Sequence, residues 1–349
     1  MDKKRNVLLV FGIIVFIDII LLLFVPGCSQ TKSITKNDYA MGVYVKITAY
    51  GRRASEAIDE AFERIREIEN KMSINKDTSE VIEINKKAGK EWVRVSPGTY
   101  YVIKEGLKYS KLTKGNFDIT IGPIVKLWNI GFENARVPSK EELSLKKELV
   151  GFDMVALDEN DNKVKLNKKG MILDLGGIAK GYAADEAICV LKKHGIESAI
   201  VNIGGNISVL NTKPGKIPWR IGIQDPGKKR GDNLAVLSVV DESIVTSGYY
   251  ERFIEEDGRL YHHILNPFTG MPAETGISSV TVITKESTTA DALSTGIFVL
   301  GLEQGLKTIS DMEDIEAVIV DNKKQIFVTP GLKDRIELTN KNYKIIFTE

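Results

Sequence analysis

Three short segments hold side chains that could work together on a phosphorylated substrate. In Thr288-Thr289-Ala290-Asp291-Ala292-Leu293-Ser294-Thr295-Gly296, Asp291 and Thr295 stand four residues apart, so on a helix a carboxylate and a hydroxyl share one face. Such an oxygen pair suits Mg²⁺, which takes few protein ligands and completes its shell with water and phosphate. Helix-dipole complementarity would account for Asp291 alone and makes no demand for Thr295. Leu173-Asp174-Leu175-Gly176-Gly177-Ile178-Ala179-Lys180-Gly181-Tyr182 runs from a strand through glycines into a helix. There backbone N–H groups and Lys180 could meet a phosphate, or the glycines could simply make a tight turn beside a surface lysine. It is not a P-loop, which needs Gly-Lys-Ser/Thr after a longer glycine-bounded loop. Tyr261-His262-His263-Ile264-Leu265 holds two of the three histidines. Strand neighbours point to opposite faces, so one of that pair faces a given cleft and is the acid/base candidate. Val201-Asn202-Ile203-Gly204-Gly205-Asn206 sets paired glycines inside a β run, read equally as a bulge or a close approach by ligand or backbone.

The elements that must position these groups are partly legible. Ser55–Met72 is the clearest helix, with Ser55 as cap and Ile58, Phe62, Ile65, Ile68 and Met72 as one apolar stripe. Ser96-Pro97 opens a second, closed by Gly115. Gly177–His194 is a third, ending in Lys192, Lys193, His194 and Gly195, where a cationic His194 suits the helix end without any catalytic role. Thr288–Leu300 is a fourth, with Thr288 or Thr289 as cap and Asp291 in the first turn. Alternating runs at Val43–Ala49, Trp92–Val95, Val164–Leu166, Ala199–Ile203, Trp219–Ile223, Leu234–Val239, Gly258–Leu265 and Ser279–Ile283 read as strands. Several follow one another through Gly, Asn or Asp turns. The expectation is an α+β fold with mixed, largely antiparallel sheets and packed helices. Ser29–Asn37 is polar without periodicity and reads as a tether, so that residues 1–27 form a leader, 28–39 a tether, and 40–349 one large domain with room for two lobes.

Charge and composition narrow the function. The 349 residues carry 48 Lys+Arg against 47 Asp+Glu, which excludes a nucleic-acid binder working through a broad basic surface. Two cysteines cannot make a disulfide scaffold, and three histidines leave few His-rich metal sites, so any metal is expected to be a hard, oxygen-bound ion. Lys3, Lys4 and Arg5 precede an apolar run from Val7 to Val25, then Pro26, Gly27 and Cys28. This has the layout of an export signal, and a Cys directly after Gly27 resembles a bacterial lipobox whose Cys28 takes lipid. The competing reading is an uncleaved membrane anchor. Both place the body outside the cytoplasm and tether it to the cell membrane. Cys189 is left without a partner and is expected to be a small buried residue.

Taken together, the segments resemble the ApbE family of FAD:protein FMN transferases. The likeness runs through Met41-Gly42, Met72-Ser73, Ser79-Glu80-Val81, Ile84-Asn85 and Gly115-Asn116-Phe117-Asp118-Ile119-Thr120, then Gly122-Pro123 and Leu127-Trp128. It continues through Asp174–Tyr182, Asn202–Asn206, Trp219 with Gly222-Ile223, Thr246-Ser247-Gly248, His263-Ile264 with Pro267 and Thr269-Gly270, and Ala290-Asp291-Ala292 with Thr295. The resemblance implies that FAD is split at its pyrophosphate, AMP leaves, and FMN is esterified to a Ser or Thr hydroxyl of a target flavoprotein. Such targets are subunits of membrane redox complexes or exported electron-transfer proteins. By the same resemblance Asp291 and Thr295 would hold Mg²⁺ by side chains, Gly177 by its carbonyl, and Ser294 more weakly. His263 would take the acceptor proton, and Met41, Asn116, Phe117, Asp118, Asp174, Lys180 and Ile264 would line the FAD site. Two positions depart from the family pattern. Asn75 stands where many members have an aromatic residue, opening space beside FAD that could admit water. Tyr249 stands where Asp or Asn often follows Thr-Ser-Gly. Two competing functions follow, an FAD pyrophosphatase using water as acceptor and a flavin-binding lipoprotein without chemistry. The second leaves His263 unexplained, because binding alone needs no general base.

Overall fold

The computed structural model describes residues 32–348. The leader and Cys28 lie outside the described residues. In chain order the elements are β1 Ser33–Ala40, β2 Val43–Tyr50, α1 Ala54–Met72, α2 Glu80–Lys86, β3 Val93–Arg94, α3 Pro97–Leu112, α4 Gly122–Trp128 and α5 Lys140–Lys147. Next come β4 Val155–Asp158, β5 Lys163–Leu166, α6 Ala179–Lys193, β6 Ser198–Ile203, β7 Asn206–Leu210, β8 Trp219–Gln224, β9 Asn233–Val239 and β10 Ser243–Gly248. Then follow β11 Phe253–Glu256, β12 Arg259–His262, β13 Ile277–Thr284, α7 Ser287–Leu300, α8 Leu302–Ser310, β14 Glu316–Asp321, β15 Gln325–Val328, β16 Ile336–Leu338 and β17 Lys344–Phe347.

A nine-stranded sheet in the order β1-β2-β6-β7-β10-β13-β14-β15-β17 forms the spine. Its pairs are antiparallel except β15 with β17, so the fold is α+β as the sequence predicts. Strand alternation feeds two cores. Ala317 and Ile319 of β14 face one side with Val45, Ile47, Val201, Val280 and Val282, under Ile58 and Ile65 of α1, Ala183 and Leu191 of α6, and Leu293 and Ile297 of α7. Val318 and Val320 face the other side, where Trp219, Ile221 and Ile223 of β8 and Leu234 and Leu237 of β9 cover the sheet. Every residue of β13 is buried, because both cores meet on it. A third, smaller core gathers Ile124, Trp128, Ile130, Leu143 and Leu265. No helix among the described residues is long and apolar enough to cross a membrane.

Four local readings change. The polar segment read as a tether is strand from Ser33 onward, paired residue for residue with β2. Its outer face is solvent, so alternation there needs no apolar residues. Ser55 lies inside α1, which starts at Ala54 after the Gly51 turn. Gly204 and Gly205, with φ of +58° and +103°, form the two-residue turn joining β6 to β7 and are not an interior bulge. Cys189 is exposed, on the solvent side of α6.

Candidate active site

The site is built where α6 meets α7. Gly181 lets them touch: a Cβ there would lie 2.2 Å from the Ser287 carbonyl oxygen. One turn further along α6, Asp185 accepts hydrogen bonds from the Ser287 and Thr288 N–H groups at 2.8 Å and from the Thr288 hydroxyl at 2.6 Å. α7 has no side-chain cap of its own. Asp185 caps it from the neighbouring helix, and the expected cap at Thr288 or Thr289 gives way to a start at Ser287. Asp291 therefore sits in the second turn, beyond the strongest part of the helix dipole.

Asp291 is 3% exposed and points at the start of α6. It accepts from the Gly181 N–H at 2.9 Å and from Lys180 Nζ at 3.1 Å, while Lys180 Nζ also donates to the Gly176 carbonyl at 3.1 Å. Thr295, one turn along α7, reaches the same loop. Its hydroxyl is 3.8 Å from where a Cβ on Gly177 would be and 3.2 Å from Ser247 Oγ on β10. Ser294 is fully buried, donates to the Asp291 carbonyl at 3.0 Å and meets Ser247 at 2.9 Å. It supports Ser247 and the helix turn. Among the described residues no three His, Cys, Asp or Glu side chains gather closely enough to hold a metal. The oxygen cluster of Asp291, Thr295, Ser247 and the Gly176–Gly177 backbone nonetheless suits a hard cation, and the Lys180 ammonium already lies in it as a stand-in positive charge.

Several N–H groups of the glycine loop and helix start already have partners within the fold. Gly176 N–H is taken by Asp174 Oδ1 at 2.8 Å, Ile178 and Ala179 N–H by the Leu175 carbonyl, and Gly181 N–H by Asp291. These bonds occupy part of the helix start, and the side-chain cations around it are Lys126, Lys180 and Arg252. All three act on the Asp174 carboxyl, pulling it down while burial pushes it above its ordinary value.

His263 follows directly on β12. Its N–H and its Nδ1 both donate to the Arg252 carbonyl, at 3.0 and 3.2 Å, so Nε2 carries the free lone pair. Desolvation and then the Arg252 charge hold the imidazole down at about 4, neutral at ordinary pH. His262 turns into the core. Its Nε2 donates to the Ala273 carbonyl at 3.1 Å and its Nδ1 accepts the Ile264 N–H at 3.3 Å. His194 caps α6 and pairs with Glu60 at 2.7 Å. Of the three histidines, His263 is the one with a free nitrogen beside the cluster's cations.

The ApbE family model matches residues 41–319. The chain belongs to the ApbE family. An FAD:protein FMN transferase of Treponema pallidum is 34% identical to it over 91% of this chain and 92% of that one. Another, from Klebsiella pneumoniae, is 35% identical over 82% and 88%. Among solved structures, the ApbE protein of Thermotoga maritima superposes with a TM-score of 0.81 at 36% identity, covering 87% of this chain and 99% of that one. The flavin transferase ApbE of Vibrio cholerae gives 0.78 at 29% identity, covering 87% and 99%.

The other expected site residues of this ApbE chain differ in burial and in partners. Met41 and Gly42 form the turn between β1 and β2, with φ of +56° and +71°. A methionine in that conformation departs from the local preference for Gly or Asn. Asn75 is exposed and accepts from Lys126 Nζ at 2.7 Å. Asn116 donates to the Thr113 carbonyl at 2.9 Å. Phe117 is buried, its ring 3.0 Å from a Cβ position on Gly177. Asp118 accepts from the Thr120 N–H and hydroxyl at 2.7 Å and from Phe152 N–H at 3.1 Å, with burial raising its carboxyl. Ile264 is buried beneath His263. Phe117 thus packs against the glycine loop, Asp118 and Ile264 are buried, Met41 and Tyr249 are partly exposed, and Asn75 is exposed. Sequence reasoning quoted Ser247 without a role and missed Asp185 and Arg252. Asp185 had one signal, its i,i+4 spacing from Gly181, whereas Arg252 had none.

Proposed function

We propose that this chain transfers the FMN part of FAD to a Ser or Thr hydroxyl of another protein and releases AMP. The observation that carries it is a pair of groups within electrostatic reach of the same Lys180. One is a cation-attracting oxygen cluster on Asp291, Thr295 and Ser247; the other is a neutral His263 whose Nε2 is free. The relatives named FAD:protein FMN transferase supply the substrate class. Asp291, Thr295 and the Gly177 carbonyl would hold Mg²⁺, with Ser247 beside them. Bound there, Mg²⁺ would neutralise pyrophosphate charge, the main demand of phosphoryl transfer. Lys180 and Lys126 draw the dianionic pyrophosphate into the cleft, and His263 Nε2 accepts the proton of the acceptor hydroxyl.

Asn75 favours one further activity, hydrolysis of FAD to FMN and AMP. It is small, exposed and drawn toward Lys126, leaving the rim open to water. We also propose that Cys28 carries lipid and holds the enzyme outside the cytoplasm at the membrane, beside flavin-carrying redox subunits. The basic head, apolar run and Gly27-Cys28 junction support this. Full-length protein given FAD, Mg²⁺ and its cell's own membrane fraction should yield an FMN-threonine or FMN-serine adduct by mass spectrometry. AMP without an adduct would leave only hydrolysis, and no AMP would leave a flavin-binding protein. Asp291→Ala should abolish AMP release with the fold intact; unchanged release would overturn the metal assignment.

A further inference from the structure

One end of the large sheet is assembled from segments far apart in the chain. The register sets Ser33 of β1 beside Tyr50 of β2, Tyr50 beside Ser198 of β6, and Ala199 beside Leu210 of β7. The turn at 51–53, the end of α6 and the loop 211–218 therefore emerge together, and a Cβ on Gly51 would lie 3.1 Å from Ile196 Cδ1. The loop is closed on itself and on its neighbours. Lys213 N–H donates to the Ile217 carbonyl at 2.8 Å, Asn211 Nδ2 to the Glu197 carbonyl at 2.8 Å, and Trp219 Nε1 to the Asn211 carbonyl at 3.1 Å. Beneath it the Trp219 ring meets the Tyr50 ring at 6.3 Å, and Lys213 Nζ lies 5.2 Å from the same indole. What the loop holds outward is Ile217, 56% exposed, between the exposed Lys216 and Pro218. Positive charge gathers around it. Arg53 pairs with Glu56 and His194 with Glu60, whereas Arg52, Lys192, Lys193, Lys213 and Lys216 have no carboxylate within 4.0 Å among the described residues. The acids beside them are Glu197 and Asp241, and Asp241 accepts the Asn211 N–H at 3.3 Å.

The candidate active site lies at the opposite end. The turns at Met41 and Gly42 and at Gly204 and Gly205 close their strand pairs there. Ser208 of β7 pairs with Ser243 of β10, and β10 runs on from Ser243 past the Gly204 turn to Ser247. Two residues from Leu210 to Ser208 and four from Ser243 to Ser247, at about 3.3 Å each, set Ser247 about 20 Å from the basic end. We propose that the basic end rests on an anionic bilayer surface and that the candidate site faces away from it, about 20 Å higher. This rests on the membrane tether proposed above. Cys28 stands five residues before Ser33, so an anchor there keeps Ser33 within about 17 Å of the bilayer. Attraction of cations to headgroup phosphates fades over a Debye length of about 8 Å, so groups at the tethered end are the ones held. Ile217 enters the headgroup boundary while Lys213 and Lys216 reach the lipid phosphates around it. The orientation selects a class of partner. An acceptor hydroxyl has to stand on a part of the target that projects about 20 Å from the membrane, away from its spanning segments.

Full chain carrying its anchor should be reconstituted in vesicles of phosphatidylcholine alone and of phosphatidylcholine with phosphatidylglycerol, and its amide hydrogen exchange compared. Exchange at 51–53 and 211–218 should slow about fivefold in the anionic vesicles relative to the neutral ones, with 41–42 and 204–205 unchanged within about twofold. Salt at about 0.5 M should remove the slowing in the wild type. The triple variant Arg52→Glu, Lys213→Glu, Lys216→Glu should stay on both vesicles through its anchor, keep the wild-type rate of AMP release from FAD, and lose the slowing. Equal exchange in the two lipids, slowing at 41–42 instead, or slowing that survives salt or the charge reversals would each overturn the orientation. A wild-type chain that floats with neither vesicle would overturn the tether, and the orientation with it.

Discussion

Replacing Asp185 by Ala tests whether the joint between α6 and α7 holds the site in place. The substitution removes an ionised acceptor from the Ser287 N–H, the Thr288 N–H and the Thr288 hydroxyl at once. Loss of an ordinary N-cap costs about 0.5–2 kcal/mol, and a covered donor left without a partner costs about 1–3 kcal/mol. Ser287 and Thr288 are 0% and 2% exposed, so water replaces the carboxylate poorly. A loss of about 3 kcal/mol at pH 7.5 follows. The same surroundings give a pH signature. Burial first of all, against the Ser287 and Thr288 hydrogen bonds, raises the Asp185 carboxyl from 3.8 to about 6. The folded chain then binds more protons than the unfolded one between those values, and this group's contribution to stability is lost as pH rises through 6. Linkage makes wild type about 1.4 kcal/mol more stable at pH 5 than at pH 7.5 through this group alone. The gap between wild type and Asp185→Ala should therefore widen by that amount at pH 5. Urea unfolding of the full chain at both pH values reads the two effects, with Asp185→Asn as a neutral isostere that loses the slope but keeps one acceptor. A gap under about 0.5 kcal/mol at pH 7.5, or one that does not widen at pH 5, would refute the reasoning.

Other perturbations follow from the same geometry. The His263 imidazole is held at about 4, by desolvation first and by Arg252 second, so its basic form persists down to about pH 5. Its contribution to the transfer rate should be flat from pH 8 to 5 and fall toward 4; half-loss near pH 6.5 would contradict that. His263→Gln should retain the unfolding midpoint and lose adduct formation, and an active variant would remove His263 from proton transfer. Gly181→Ala places a Cβ 2.2 Å from the Ser287 carbonyl, forcing the helices apart; a loss of about 3 kcal/mol is expected on denaturation. Trp128→Phe deletes the 2.7 Å indole N–H bond to the Gly270 carbonyl inside the smallest core. A cost of about 2 kcal/mol is expected, and a neutral result would show that water reaches that carbonyl.

How legible each feature was depended on whether its cause is local. The α1 stripe from Ile58 to Met72 is local, and the helix forms where it predicts. The pairing of Asp291 with Thr295 is equally local, and both reach the glycine loop. Strand β1 escaped because Ser33–Ala40 is polar on its solvent face, and β2 rather than composition makes it a strand. The short strands β14 to β17 were also missed, although Val318 and Val320 alternate with Ala317 and Ile319. The turn glycines Gly204 and Gly205 were seen as special, yet only pairing of Ile203 with Asn206 shows which kind of turn they make. Ser247 comes from β10, Asp185 from α6 and Arg252 from the loop after β10. What Ser247 and Asp185 do is set by a neighbour more than forty residues away, and no spacing rule reaches that far.

That division separates rigid from adjustable parts of the site. A carboxylate as buried as Asp291 has to be paired, because an isolated buried charge is strongly unfavourable. One partner, the Gly181 N–H, is fixed by the helix and by the contact that only glycine permits. The other, Lys180, is carried on a flexible stem with a side chain 23% exposed. Asp291 thus stays oriented whatever Lys180 does. Asp185 and Ser294 reinforce the rigid half from below. The charges of Lys180, Arg252 and Lys126 each reach Asp174. The phosphoryl transfer proposed above would draw on both, oxygen ligands held in place and cations near the pyrophosphate. The nearly even count of acidic and basic residues fits the same design. A dianionic substrate would be met there by the three cations that act on Asp174, without an excess of positive charge over the whole chain.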